Sequence, residues 1–247
     1  MSDAKAHELE KALRGFVPNH AHNCLAAHGN MPMYDEPLVG FAAAADPLFL
    51  ELKKPEVVTP EHLLPGELLP GARTVISYFL PFTALVRETN YGPGLASEEW
   101  ASARIDGENF NDEVRKFLIA YLEGLGGRAV APVKQPGYKS LKVKSTWSER
   151  HAAFIAGLGT FGLSRSLITA RGAAGRFGSV VTTLEFPPTA RPYKHHEEYC
   201  LFLTDGGCGE CIDRCPSGAI TKYGKDKEVC RNYIDTVVKP YFAPRYG

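Results

Sequence analysis

ENFNDEVRKFLIAYLEGLGGRAVAPV, residues 108–133, carries two periodicities back to back. Phe110, Val114, Phe117, Leu118, Tyr121, Leu122 and Leu125 recur at three- and four-residue spacing, which is one apolar face of a helix, and Gly126 and Gly127 stop it. RAVAPV follows at once and reads as a short strand. Upstream, RTVISYFLPF (Arg73 to Phe82) is a β-branched and aromatic run closed by Pro81, the pattern of a buried strand. Strand, helix, strand is the grammar of an α/β domain, expected here on a mixed sheet.

Further out, residues 4–15, AKAHELEKALRG, predict a short amphipathic helix closed by Gly15. Prolines and glycines break residues 34–72 into short helices and loops. In STWSERHAAFIAGLG (145–159), Thr146 and Glu149 have capping-box spacing ahead of another helix. GSVVTTLEF, Gly178 to Phe186, predicts a strand. The polar, proline-rich PPTARPYKHHEEYC marks a boundary between an α/β domain (1–190) and a cysteine-bearing module (195–247).

Lys plus Arg and Asp plus Glu both number 28 in the 247 residues, so the formal net charge is zero. Neutrality removes the electrostatic case for a general nucleic-acid binder or a membrane-surface protein, although a local basic face survives it. MSDAKAHELEKALRGF has no long apolar core, and no run approaches the ~20 apolar residues that span a bilayer, so no leader or anchor is expected and the cytoplasm is the expected home. In a reducing compartment, clustered cysteines are metal ligands or redox groups more often than disulfides.

Three of the six cysteines crowd into CGECIDRCP, 208–216. The full spacing is Cys200-x7-Cys208-x2-Cys211-x3-Cys215-Pro216, then Cys230. Zinc ribbons use two C-x2-C pairs. Here a single pair is followed by C-x3-C-P, the ending of a bacterial ferredoxin run, which points to iron–sulfur ahead of zinc or a disulfide knot. Asp205 occupies the place of the ferredoxin run's first cysteine, and Cys200 is the natural substitute. Five thiols are one too many for one four-ligand cluster and three too few for two. Cys24 sits apart, a buried or indifferent thiol, and His20, His22 and His28 around it fit no ligand spacing.

HAAFIAGLGTFGLSRSLITARGAAGRFGSVVTTLEF, then the cysteine motif, then KDKEVC, is similar to the epoxyqueuosine reductase and reductive dehalogenase superfamily over roughly residues 70–240. The resemblance implies a cobalamin-domain-like α/β core, a C-terminal ferredoxin-like module with [4Fe–4S] clusters, and a reductive elimination fed by an external donor of ferredoxin or flavodoxin type. It assigns Cys208 and Cys211 to a first cluster, and Cys215 and Cys230 to a second. The remaining ligands come from a later motif, expected about where this chain ends in PYFAPRYG. That leaves either one cluster or a sequence that stops before its last ligands.

Where the family carries a proton-donating aspartate, LKVKSTWSER has none. Glu149 and His151 are the nearest groups able to move a proton, against plainer roles as a helix-capping carboxylate and a packing residue. Gly159, Thr160, Phe161, Gly162 and Ser164 of GLGTFGLS either face a planar cofactor or simply end a helix. ARGAAGRFG lacks the lysine of a phosphate-binding P-loop. The leading expectation is an iron–sulfur oxidoreductase, cobalamin being a candidate second cofactor, that reduces a small molecule or a corrinoid. A non-catalytic electron carrier or corrinoid-reactivating partner is the alternative. An action on tRNA rests on analogy alone and is opposed by the neutral charge.

Overall fold

The structure is a computed structural model that describes residues 1–246. In chain order it contains helix α1 (Asp3–Asn19), strands β1 (Leu38–Ala43) and β2 (Thr74–Pro81), helix α2 (Glu98–Gly124), strand β3 (Ala129–Val130) and helix α3 (Glu149–Ile155). A hairpin of β4 (Gly159–Phe161) and β5 (Leu167–Thr169) leads into β6 (Gly175–Thr182). The tail adds the short helices α4 (Leu201–Thr204), α5 (Glu210–Asp213), α6 (Lys227–Tyr233) and α7 (Lys239–Tyr246), with a small hairpin, Ile220–Thr221 against Gly224–Lys225, before α6.

All eight residues of β2 are buried, because helices cover both faces of the sheet. Ile76, Tyr78 and Leu80 join the core beneath α1 and α2, with Leu13, Phe110, Val114 and Leu118. Val75 points the other way, to Trp147, Ala152 and Ile155 of the α3 side, and Phe79 meets Ala153 and Leu158 there. Alternate residues thus serve opposite layers, which is why the run reads as continuously apolar. Tyr78 is buried as well, its hydroxyl donating to Asn111 Oδ1 at 2.7 Å.

The sheet order is β1-β2-β6-β3, and every pairing in it is antiparallel rather than mixed. β2 and β3 still run in the same direction, since each is antiparallel to β6, so the strand–helix–strand unit exists. What its local pattern hides is that β6, arriving about fifty residues later, pairs between its two strands, with Val75 opposite Val181 and Ala129 opposite Thr182.

Several boundaries move. Gly15 does not close α1, which runs on to Asn19 and buries Val17 beside Leu9 and Leu13. A glycine inside a helix costs about 1 kcal/mol, less than the ~1.5–3 kcal/mol from burying a valine, so packing carries the helix through. α2 starts ten residues before the periodic segment, where Ser97 accepts from Trp100 N at 3.1 Å and caps it. β6 is displaced toward the N-terminus, from Gly178–Phe186 to Gly175–Thr182, and ends where Thr182 meets the edge strand β3.

The capping box expected at Thr146 and Glu149 does not form. Ser148 stands at the helix start, while the Thr146 hydroxyl donates to Gly137 O (3.1 Å) and accepts from Lys139 N (2.8 Å). Glu149 is thereby free to turn inward. The proline-rich segment after residue 186 is strapped to the α/β layer: Thr189 N donates to Phe41 O at 2.8 Å, and Arg191 pairs with Asp46 at 2.6 Å. Among the described residues no helix is long and apolar enough to cross a membrane.

Candidate functional site

Helix α3 is a wall between two cavities. Its residues 149 and 151 lie about 200° apart around the axis, so Glu149 and His151 do not face each other. Glu149 lines a cavity of about 720 Å³, with Arg104, Arg115, Trp100, Tyr138 and Arg176. His151 lines a cleft of about 570 Å³ between the α/β layer and the tail. Arg150 borders both.

The Glu149 carboxylate is oriented from beneath. Trp147 Nε1–H donates to Ser179 Oγ at 3.0 Å, and Ser179 donates to Glu149 Oε2. Arg115 Nη2 lies 3.8 Å from Oε1, while Arg115 Nη1 donates to Glu108 and Asp112 at 2.7 Å each. Burial drives the Glu149 pKa up, and Arg115 with the bonds from Ser179 and Trp147 offsets only part of that. A carboxyl held this way is a candidate proton donor.

His151 sits in the opposite electrostatic situation. Burial first, then the charges of Arg150, His62, Lys227 and His196, lowers its pKa to about 3, so the imidazole is neutral at pH 7. Its Nδ1 lies 2.7 Å from Ser148 Oγ, and its ring packs on Phe161 with centroids 4.7 Å apart. It can hydrogen-bond a ligand in the cleft, but it carries no charge there.

Of the five residues of the glycine-rich turn singled out above, Phe161 lines this cleft. Thr160 is fully buried and accepts from Tyr199 N at 2.8 Å. A Cβ on Gly159 would lie 2.0 Å from Ile168 O, so the absence of a side chain there lets β4 and β5 approach. Gly162 N donates to Ser166 O at 2.8 Å, and Ser164 Oγ accepts from Ser166 N at 3.3 Å, both closing the hairpin.

That hairpin also holds the cysteine tail. Leu163 N donates to Cys200 Sγ at 3.4 Å, and Phe161 N donates to His196 O at 2.6 Å. Burial, followed by the proximity of Cys200, Cys208 and Cys215, raises the Cys211 pKa, so these three sulfurs lie within electrostatic reach of Cys211. At Cys215 burial is outweighed by the Ser217 hydroxyl and the N–H groups of Ile220, Ser217 and Ala219, which pull its pKa down. Four grouped thiols with N–H donors aimed at two of them suit a sulfur-ligated cluster, whose thiolates need such donors. Among the described residues no group of three or more His, Cys, Asp or Glu side chains could hold a single metal ion. Cys230 lines a recess of about 170 Å³ that adjoins the cleft. Cys24 donates to Ala21 O at 3.3 Å.

No protein-family profile matches the chain. Over 110 residues it is 33% identical to an epoxyqueuosine reductase of Bacillus cereus and 32% identical to one of Bacillus anthracis. Over that span the chain is similar to the epoxyqueuosine reductases. The matched span is 44% of this chain and 26% of each of those proteins. The family's solved structures share the fold: a selenomethionine-labelled epoxyqueuosine reductase (TM-score 0.55, 18% identity) and that of Streptococcus thermophilus (TM-score 0.53, 17% identity). They cover 88% and 90% of this chain, which spans only 53% and 55% of theirs. A further epoxyqueuosine reductase, at TM-score 0.53 and 17% identity, carries an epoxyqueuosine-modified tRNA stem loop.

In the stretch where the family's aspartate is expected, this chain presents Val143 to the cleft. The residues that sequence reasoning missed are Arg115, Ser179 and Trp147 under Glu149, and the cations Arg150, Arg165, Lys225 and Lys227 of the cleft. A signal for the cations existed. Lysines stand at 142 and 144 and again at 222, 225 and 227, two local runs that a neutral total conceals.

Proposed function

We propose that this protein is an iron–sulfur oxidoreductase of the epoxyqueuosine reductase type, in which Cys200, Cys208, Cys211 and Cys215 hold one [4Fe–4S] cluster. An acceptor, a small molecule or a corrinoid, occupies the cleft at His151 and Phe161. The observation that carries this reading is the hydrogen bond from Leu163 N to Cys200 Sγ (3.4 Å), which ties the grouped thiols to the hairpin whose Phe161 forms the cleft wall. The cluster supplies single electrons drawn from an external donor of ferredoxin or flavodoxin type. Phe161, Phe154 and Ile155 keep water from one side of the acceptor, and neutral His151 orients it. The expected setting is the reducing cytoplasm, where the thiols stay free to bind.

Iron and sulfide content with EPR on anaerobically prepared protein tests the proposal. Four irons per chain are expected, lost on Cys211→Ser and retained on Cys230→Ser and Cys24→Ser. A colourless anaerobic preparation containing only zinc overturns it. Hydroxocobalamin added to the reduced protein tests the corrinoid acceptor: its absorption bands shift if it is reduced in the cleft. Intact clusters with unshifted bands remove the corrinoid and leave the small-molecule acceptor.

A further inference from the structure

We propose that the cleft between the α/β layer and the tail binds an organic phosphate, a phosphate group carried on an apolar or planar body. The inference rests on the cleft being the functional site and adds the class of ligand it takes.

One wall of the cleft is apolar, formed by Leu48, Leu52, Val57, Phe154 and Phe161. Toward the tail the lining is charged: Arg150 and Arg165 come from the α/β layer, Lys225 and Lys227 from the tail hairpin and the start of α6, with Asp226 and Glu228 beside the lysines and Glu51 and Glu56 also on the lining. Asp226 is engaged in capping α6, where it accepts from Glu228 N and Val229 N, and Glu228 pairs with Lys142. The four cations continue into the adjoining recess of about 170 Å³, where Lys142 and Arg231 join them and no Asp or Glu among the described residues lines the wall. Three of the six cations have carboxylate partners: Lys142 with Glu228 of the cleft lining (2.6 Å), Arg165 with Glu197 (3.4 Å) and Arg231 with Asp235 (2.6 Å). Arg150 spends its guanidinium on Arg165 O, and no ion pair reaches Lys225 or Lys227 among the described residues.

Like charges on both faces of one junction repel. Burial, then Arg150, Lys144, Arg165 and Lys225, holds the Lys227 pKa below its ordinary value. In a chain of zero net charge this concentration is local and faces a concave space. An anion seated there relieves the repulsion and draws the two layers together. The donors approach from opposite sides. A planar carboxylate presents one edge, whereas a tetrahedral phosphate presents three terminal oxygens and up to two charges, enough for arginines on one side and lysines on the other. The apolar wall then receives the body of the molecule.

Calorimetric titration of the anaerobically prepared full chain with AMP and with adenosine reads the phosphate's share directly. AMP is expected to bind at least ~10-fold tighter than adenosine and to raise the melting temperature. The double variant Lys225→Gln/Lys227→Gln is expected to lose ~10-fold in AMP affinity and to flatten its salt dependence, while Lys11→Gln, at an exposed position of α1, changes neither. Equal affinities for AMP and adenosine overturn the proposal, as does an AMP affinity indifferent to the double variant. An RNA stem loop that binds where AMP does not overturns it in favour of a polynucleotide surface. Iron content measured on the same samples keeps the two readings apart. A full cluster without AMP binding removes the ligand class alone, and AMP binding by a protein unable to hold iron sustains it without the redox function.

Discussion

Arg115 shows how much a single buried side chain organises. Its side chain is 4% exposed and stands among Glu108, Asp112 and Glu149. Replacing it by leucine leaves Glu149 buried without its cation, while Asp112 keeps Lys134 and Glu108 keeps Arg176. Arg115→Leu is therefore expected to cost about 3 kcal/mol in urea denaturation, and Glu149→Gln less, because Arg115 keeps two partners. His62 makes a separate prediction. It is fully buried, stacks on Trp147 at 5.5 Å, and accepts from Ser148 N through Nε2. Burial lowers its pKa from 6.5 to about 4, against a smaller opposing effect of the Leu63 backbone. Between those values the unfolded chain binds more protons than the folded one. Stability is therefore complete above pH 6.5 and falls as the pH drops toward 4, by up to ~1.4 kcal/mol per unit. His151, held at about 3, adds in the same direction. The urea midpoint at pH 5 should lie below that at pH 7, and His62→Gln should narrow the gap.

Among the elements, the β4–β5 hairpin ties the most parts together. Gly159→Ala would drive a methyl group against Ile168 O and spread the strands, at a cost of about 2–3 kcal/mol. Because Leu163 N, just beyond the hairpin's first strand, bonds Cys200 Sγ, the same variant should also lower the iron retained per chain, read beside the denaturation curve. The elements themselves were largely legible. The β-branched run of β2 and the periodic face of α2 declared themselves because local pattern and burial agree there. The first ten residues of α2 did not, since EEWASARIDG lacks a clean apolar stripe and is held by a cap and by Ser102 and Ala103 packing inward. Thr146 and Glu149 illustrate the opposite error. Their spacing satisfies a local rule, yet tertiary partners, Gly137 and Lys139 for one and Ser179 for the other, claim both side chains.

For the whole molecule, what stayed illegible was everything that depends on residues far apart in sequence. The cysteine spacing grouped five thiols in the tail, but it held no sign that Cys230 would line a recess beside the cleft, among Lys142, Lys227 and Arg231. Nor did RTVISYFLPF reveal that β6 would pair between β2 and β3. The tail docks by polar bridges, Arg214 to Asn90 O (2.6 Å) and Lys142 to Glu228 (2.6 Å), while the proline-rich segment is held by Tyr193, whose hydroxyl donates to Phe154 O. A brief trypsin digest should cut first after Lys222, beside Tyr223 at 87% exposure, and only later after Arg191, which is engaged with Asp46 and Ile155 O. One more property follows from the relay beneath Glu149. The chain has two tryptophans. Trp100 forms part of the larger cavity's wall, and Trp147 grips the serine under its acid. Both indoles thus act as built-in lamps on that chamber, one at the surface and one in the foundation. A guest entering it, or a proton leaving it, will register in the protein's own fluorescence without any attached dye.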